Sequence, residues 1–147
     1  MKMIGLTVSM FAALFLASCS HGGAPADPAT EAAAANSPAS ADKRACAEVA
    51  ERYIKNILAG NVKAADADRA AMRNGHTSEE LVPMMQGLGA LDHLELLSVD
   101  KETAPDAQRA TVEGLMYFKG GTHKRFRAEE QMDSPGKWLI FEFSYSN

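Results

Sequence analysis

The sequence predicts an α+β domain in which amphipathic helices come first and an antiparallel sheet follows. Apolar side chains recur at three- and four-residue spacing between residues 43 and 88, which is the helical period. From residue 94 onwards, four stretches have the composition and alternation of strands. Short turn sequences separate these stretches, and consecutive strands joined by short turns pair antiparallel. We therefore expect helices packed on one face of a four-stranded meander.

Residues 1–18 have the pattern of a secretory signal. Lys2 precedes an apolar run over residues 3–17, which is short for a membrane span of about 20 residues. The run ends in Leu16-Ala17-Ser18-Cys19, which matches the bacterial lipobox, so the segment resembles a lipoprotein signal peptide. The resemblance implies that Cys19 is lipidated and anchors the chain in a bilayer. The alternative is an ordinary signal peptide with a chance cysteine.

Residues 19–42 are expected to be the lipidated cysteine and a disordered tether. Alanine, proline and serine dominate, and the segment after Cys19 has no aromatic or large aliphatic residue. Such a segment cannot bury enough apolar surface to offset the entropy of ordering it. In the bacterial lipoproteins that the segment resembles, Asp directly after the lipidated cysteine favours retention in the inner membrane. Ser20 occupies that position in this sequence. We therefore expect an outer-membrane anchor that faces the periplasm.

Residues 43–147 are predicted to form the domain. Asp42 is the expected N-cap of its first helix, which Gly60 ends. With Cys19 lipidated, Cys46 has no partner in the chain, and its place in the apolar stripe predicts a buried thiol. That stripe consists of Cys46, Val49, Ala50, Tyr53, Ile54, Ile57 and Leu58.

Two shorter helices and four strands complete the domain. Asn61 is the expected cap of a helix over Val62–Met72, and Thr77 with Glu80 forms a capping box that opens the third helix. Its inward face is expected to be Leu81, Met84, Met85 and Leu88. The strands are predicted at Leu94–Glu102, Arg109–Lys119, Thr122–Met132 and Lys137–Tyr145, with turns at Pro105–Asp106, Gly120–Gly121 and Ser134–Gly136.

Two segments resemble a known family. Residues 53–65 combine an aromatic amphipathic helix, a Gly-Asn break and an alanine-rich helix, and Gly136-Lys137-Trp138 opens the last strand. Both are similar to nuclear transport factor 2-like domains. The resemblance implies a cone-shaped fold, a curved sheet wrapped on helices around a pocket. Members of that superfamily include ketosteroid-isomerase-like enzymes and proteins that bind, dimerise or scaffold.

The catalytic residues of the isomerase-like members match this sequence only in part. Tyr53 occupies the position of the tyrosine that donates to an oxyanion, although a core aromatic is the favoured interpretation. The segment over residues 69–76, which should carry the base, has no carboxylate, and His76 is expected in an exposed loop. The histidines are scattered without metal-ligand spacing, and no phosphate or dinucleotide motif is present. We expect neither metal nor cofactor.

A basic segment in the third strand is the most prominent surface feature. Lys119, His123, Lys124, Arg125 and Arg127 lie within nine residues that contain no acid. A two-residue turn at Gly120–Gly121 would pair Phe118 with His123, Met116 with Arg125 and Gly114 with Arg127.

The cationic row could then line a pocket for an anion or an acidic protein surface. The alternative is a solvated face that Glu129 and Glu130 neutralise. The opposite face, expected to pack on the helices, would carry Leu115, Tyr117, Phe126 and Ala128.

The function expected first is a membrane-anchored periplasmic lipoprotein with a non-catalytic domain that binds a protein or small ligand. Fifteen basic and nineteen acidic residues argue against a nucleic-acid binder. One alternative is an immunity or assembly lipoprotein for one partner. Another is an isomerase- or hydratase-like enzyme, with a hidden base that converges with Tyr53. The sequence leaves the oligomeric state open, with a homodimer as one alternative.

Overall fold

A computed structural model describes residues 38–71, 73–103 and 107–147. Its helices are α1 (Pro38–Leu58), α2 (Val62–Ala67) and α3 (Ser78–Gln86); its strands are β1 (Leu91–Thr103), β2 (Gln108–Phe118), β3 (His123–Ser134) and β4 (Lys137–Ser146). The strands form one antiparallel sheet in the order β1-β2-β3-β4, so the predicted α+β architecture is confirmed. The predictions for the signal segment, Cys19 and the Pro105–Asp106 turn lie outside the described residues.

Helix α1 begins earlier than the sequence predicts. Pro38 is its first residue, so Asp42 lies inside the helix and is not the N-cap. Proline is tolerated in the first turn, where its missing N–H has no partner to lose, and the alanines that follow favour the helix. The Asp42 carboxylate instead accepts a hydrogen bond from Lys101 Nζ on β1 at 2.5 Å. Residues 38–42, which the sequence pattern assigns to the tether, are therefore part of helix α1.

Helix α2 is shorter than predicted because the chain after it joins the sheet. Gly60, with a φ of 71°, ends α1, and Asn61 caps α2 as expected. Beyond Ala67, the backbone pairs with Ile140 of β4. The Ile140 N–H donates to the Asp68 carbonyl at 2.7 Å, and Ala70 N–H donates to the Ile140 carbonyl at 2.9 Å. These bonds replace the helical continuation to Met72.

Helix α3 has the predicted capping box. Thr77 Oγ1 accepts from Glu80 N–H at 3.2 Å, and the Glu80 carboxylate accepts from Thr77 N–H at 2.8 Å. The hydrogen bond from the Thr77 N–H to the carboxylate lowers the pKa of Glu80. Leu81 and Met85 are buried, whereas Met84 is exposed, so the inward face is narrower than predicted.

Substituting Thr77 with alanine is expected to lower the free energy of unfolding by about 1 kcal/mol, because an N-terminal N–H of α3 loses its acceptor. Urea denaturation measures the change. Thr122→Ala, in the β2–β3 hairpin, is the control that should change stability little. Equal effects of the two substitutions would contradict the role of the cap.

The core lies between the helices and one face of the sheet. Cys46 is fully buried, as predicted, and it is a free thiol. The largest buried side chains from α1 are Tyr53, Ile54 and Ile57. The apolar side chains that the sheet buries most completely include Val112, Met116, Phe126, Trp138 and Ile140. Within the described residues, no helix is both long and apolar enough to cross a membrane.

The β2–β3 register differs from the prediction by one residue. The hairpin loop has three residues, Lys119 to Gly121, because Phe118 N–H donates to the Thr122 carbonyl and Gly121 takes a φ of 82°. His123 therefore pairs with Tyr117 and not with Phe118. A slip of one residue moves every side chain of a strand to the other face. Met116 and Phe118 are buried against the helices, and Leu115 and Tyr117 are not.

Candidate functional site

His123, Arg125 and Arg127 lie side by side on the face of the sheet that points away from the helices. Their cross-strand partners on β2 are Tyr117, Leu115 and Glu113. The Arg125 and Arg127 side chains are 56% and 52% exposed. We call this surface the open face. The three cations lie in one row, as the sequence predicts. Their neighbours on β2 are Tyr117, Leu115 and Glu113 instead of the predicted Phe118, Met116 and Gly114.

Carboxylates from two strands partly neutralise the row. Glu113 on β2 accepts from Arg125 Nη2 at 2.5 Å and lies 3.8 Å from Arg127 Nη1. Glu129, two residues along β3, accepts from Arg127 Nη2 at 2.9 Å. The expectation that Glu130 would join them is wrong, because alternation along β3 turns Glu130 towards the core. The row is therefore a surface of mixed charge and not a strongly positive anion-binding site.

An aromatic ladder crosses three strands at the end of the row. The rings of His93 on β1 and Tyr117 on β2 stack with centroids 4.5 Å apart, and the Tyr117 and His123 centroids are 5.7 Å apart. Tyr117 donates its hydroxyl to Glu95 at 3.0 Å, which raises the pKa of the phenol. The ladder gives the open face a flat, amphipathic contact area.

A cavity lies at the other end of the row. Both signs of charge line it, including Asp100, Glu102, Arg109, Arg127 and Glu129. Phe141 also lines it, at the point where an extra residue of β4 interrupts the pairing with β3. The cavity therefore offers polar and charged groups with one aromatic ring.

A second polar group of residues lies in the core. Glu130 on β3 is 1% exposed, and its carboxyl faces the Cys46 thiol of α1. Burial raises the pKa of Glu130 to about 8. Burial, together with Glu130, raises the pKa of Cys46 well above the usual value. Apart from this thiol, which is a weak donor, no described residue gives the Glu130 oxygens a hydrogen bond. The Trp138 indole N–H is also buried without an acceptor among the described residues.

Two arginines connect the helices near this group. Arg52 of α1 binds the largely buried Asp68 with two nitrogens, at 2.7 to 3.1 Å, and this hydrogen bonding raises the pKa of Arg52. Arg69 is 5% exposed and donates to the carbonyl of His76 at 2.5 Å and to the Tyr53 hydroxyl at 3.2 Å. The arrangement holds the chain between α2 and α3 against α1.

Tyr53 is the last of the residues singled out from the sequence. It is fully buried, and its ring meets Phe143 edge-on at 5.4 Å. Its hydroxyl accepts a hydrogen bond from Arg69, so among the described residues the polar partner of Tyr53 is a cation and not a base. His76 lies in an exposed loop, as expected. Among the described residues, no group of three or more His, Cys, Asp or Glu side chains could hold a metal ion.

Comparisons with known proteins give similarity at the level of overall structure. No family model and no curated protein matches the sequence. A chain from Shewanella frigidimarina, described as a candidate ketosteroid isomerase, is 13% identical over 76% of this chain and 96% of its own, with a TM-score of 0.46. A protein from Cytophaga hutchinsonii described as NTF2-like, that is, nuclear transport factor 2-like, is 10% identical. The similarity covers 69% of this chain and 93% of its own, with a TM-score of 0.47.

An NTF2-like protein of unknown function from Pseudomonas putida is 12% identical over 69% of this chain and 82% of its own, with a TM-score of 0.42. These are the kinds of structure to which the helix-on-sheet domain is similar. Neither an activity nor a site is carried over from them.

Two features of the site were not predicted from the sequence. The contact of His93 and Tyr117 with the row depends on the register of two hairpins. Glu130 was expected at the surface and is buried. A signal for the correct register was present, since opposing Glu113 to Arg127 gives a charge pair and leaves the other face apolar.

Proposed function

We propose that the chain is a lipid-anchored protein of the bacterial envelope that binds a protein partner through the open face. The lipobox that ends at Cys19 supports the anchor and a position facing the periplasm. The domain would then present its sheet to other envelope proteins.

The observation that carries the binding proposal is the composition of the open face. Arg125 and Arg127 follow His123 along β3, and the Tyr117 ring contacts His123 and stacks on His93. Leu115 lies opposite Arg125. Arginine and tyrosine are enriched at protein interfaces, because each combines apolar contact area with directional hydrogen bonds. The partner we propose has a surface of mixed charge with a prominent carboxylate group, since Arg125 and Arg127 are more exposed than Glu113, whose side chain is 23% exposed.

The packing of the interior supports recognition on the surface. Trp138, Tyr53, Phe126 and Met116 are each at most 2% exposed and fill the space between the helices and the sheet. A ligand of ordinary size would have to displace them, and interiors packed to this degree resist such change.

The binding proposal is tested by crosslinking in native envelopes followed by purification of the chain. The variant Arg125→Glu/Arg127→Glu is expected to lose a specific partner, because reversed charges repel the carboxylates that the arginines meet. Lys55→Glu/Lys63→Glu makes the same change in net charge on the helix layer and should keep the partner. A partner retained by the first variant, or lost from both, would contradict the open face as the binding surface.

The anchor is tested separately with Cys19→Ser. The wild-type chain is expected to incorporate labelled palmitate and to fractionate with membranes, and the variant is expected to do neither. Palmitate incorporation by the variant would refute lipidation at this residue.

A second candidate function is proton transfer by Glu130. A buried carboxyl with a pKa of about 8 is partly ionised near neutral pH, as a general base or acid requires. The test is a panel of non-conjugated enones, monitored by the absorbance of the conjugated product. Activity that Glu130→Gln abolishes without unfolding the protein would favour the enzyme. Equal activity in both chains would exclude Glu130 as the base.

A further inference from the structure

An exposed groove lies between the first turns of α1 and the middle of β1. Its lining includes Lys43, Arg44 and Ala47 from the helix and Leu96, Leu97 and Ser98 from the strand. We call it the leucine groove. It is separate from the open face and from the polar group in the core.

The two leucines are exposed because β1 carries an extra residue. Leu96 pairs with Gly114 and Ser98 pairs with Glu113, so Leu97 has no partner on β2. The bulge leaves Leu96 42% exposed and Leu97 49% exposed. Two adjacent leucines in water form an apolar patch. Covering the patch is favourable by roughly 25 cal/mol per Å² of apolar surface removed from water.

Cations border the leucines. Lys43 and Arg44 are exposed, and neither has an ion-pair partner among the described residues. The acidic residues close in sequence do not line the groove. Asp42 is bound to Lys101, and neither Glu48 nor Glu95 is part of the groove lining. Exposed leucine beside exposed lysine and arginine complements a surface that is apolar beneath an anionic layer.

The place where the chain enters the domain supplies the second argument. The described chain begins at Pro38, at the end of α1 that forms the groove. Residues 20–37 connect this point to Cys19, and even a fully extended connection spans at most about 65 Å. A lipid on Cys19 would therefore keep the groove within about 65 Å of a bilayer. Since tethering supplies an effective concentration on the order of millimolar, a weak contact suffices.

We propose that the leucine groove docks on an anionic phospholipid surface, with Leu96 and Leu97 among the acyl chains and Lys43 and Arg44 at the phosphates. The proposal rests on the anchoring of Cys19 proposed above. Docking fixes the orientation of the domain at the membrane, which a tether alone does not do.

The test uses the full-length lipidated chain in vesicles, with a fluorophore at Ser98→Cys and quenchers in the acyl region of the lipid. The buried thiol of Cys46 does not compete for the label. In vesicles with one third phosphatidylglycerol, quenching at position 98 is expected to be at least threefold stronger than at Ser144→Cys, on the exposed part of β4. The difference should shrink in pure phosphatidylcholine, because the cations then lose their counter-charge.

Two variants identify the source of the quenching. Leu96→Ser/Leu97→Ser and Lys43→Glu/Arg44→Glu should each remove the difference between the two label positions, whereas Lys55→Glu/Lys63→Glu should keep it. Equal quenching at both positions, or no response to the groove variants, would overturn the docking. A different result would be a label that becomes shielded as the protein density rises and is not quenched by the lipid. That result would assign the groove to a second copy of the chain.

Co-flotation with the vesicles separates this proposal from the anchor. A chain that floats with both kinds of vesicle but shows no selective quenching is anchored without docking. A chain that floats with neither refutes the anchor and the docking together.

Discussion

The free energy of unfolding is expected to fall by about 3.5 kcal/mol between pH 5 and pH 8, and Glu130→Gln is expected to abolish most of this fall. The cause is the position of Glu130 in the core, where burial raises its pKa from 4.5 to about 8. Among the described residues, its facing groups are the Cys46 thiol and the charges of Arg52 and Asp68.

The sign follows from the two states of the chain. Below about pH 4.5, the carboxyl is protonated in both the folded and the unfolded protein, so its protonation does not affect stability. Between that pH and about 8, the unfolded chain ionises while the folded chain keeps its proton. Unfolding therefore releases a proton, and rising pH favours it until the folded carboxyl ionises as well.

Urea denaturation at a series of pH values measures this effect. Glu129→Gln is the matched control, since Glu129 lies next to Glu130 on β3 but belongs to the open face, where it binds Arg127. The control should keep the pH dependence of the wild type. A wild-type stability that is constant from pH 5 to 8 would show that Glu130 ionises normally in the folded protein.

Gly114→Ala is expected to destabilise the domain by about 3 kcal/mol, or to prevent folding. A Cβ at residue 114 would lie 2.4 Å from the Glu95 carbonyl oxygen and 2.6 Å from Cε1 of the Phe126 ring. The ring could turn aside at some loss of packing, but the carbonyl belongs to the backbone of β1 and cannot move without disturbing the sheet.

Thermal unfolding followed by circular dichroism measures the loss. Gly120→Ala in the β2–β3 loop is the control, because nothing lies within 4 Å of its Cβ position. The control should melt near the wild-type temperature. A Gly114→Ala protein that melts with the control would mean that β1 and β2 are further apart than this structure places them.

The elements of the fold could be predicted because their signals are local. Gly60 and the pair Thr77–Glu80 mark helix ends by backbone geometry and hydrogen bonds within a few residues. The periodicity of residues 46–57 gave the buried stripe, including Cys46. The end of α2 could not be predicted in this way, because a contact with Ile140 of β4, far along the chain, decides it.

The site was harder to predict, because a single residue in one loop controls which side chains share a face. The cationic row stayed together under either register, since it lies on one strand. Its neighbours did not: counting two loop residues instead of three placed Phe118 opposite His123, where the structure has Tyr117. The same error placed Met116 opposite Arg125, where the structure has Leu115. Glu130 was recoverable from alternation with Phe126 and Ala128, but its charge led to the surface assignment.

The backbone contacts of Asp68 and Ala70 with Ile140 protect one border of the sheet. The outer edge of β4 is partly covered by the chain between α2 and α3, where Asn74 N–H also donates to the Phe141 carbonyl at 3.0 Å. An uncovered border strand invites pairing with another extended chain, which is a route to aggregation. Growth of the sheet by strand addition is therefore obstructed at its last strand, and β1 is the border at which a further strand would be added.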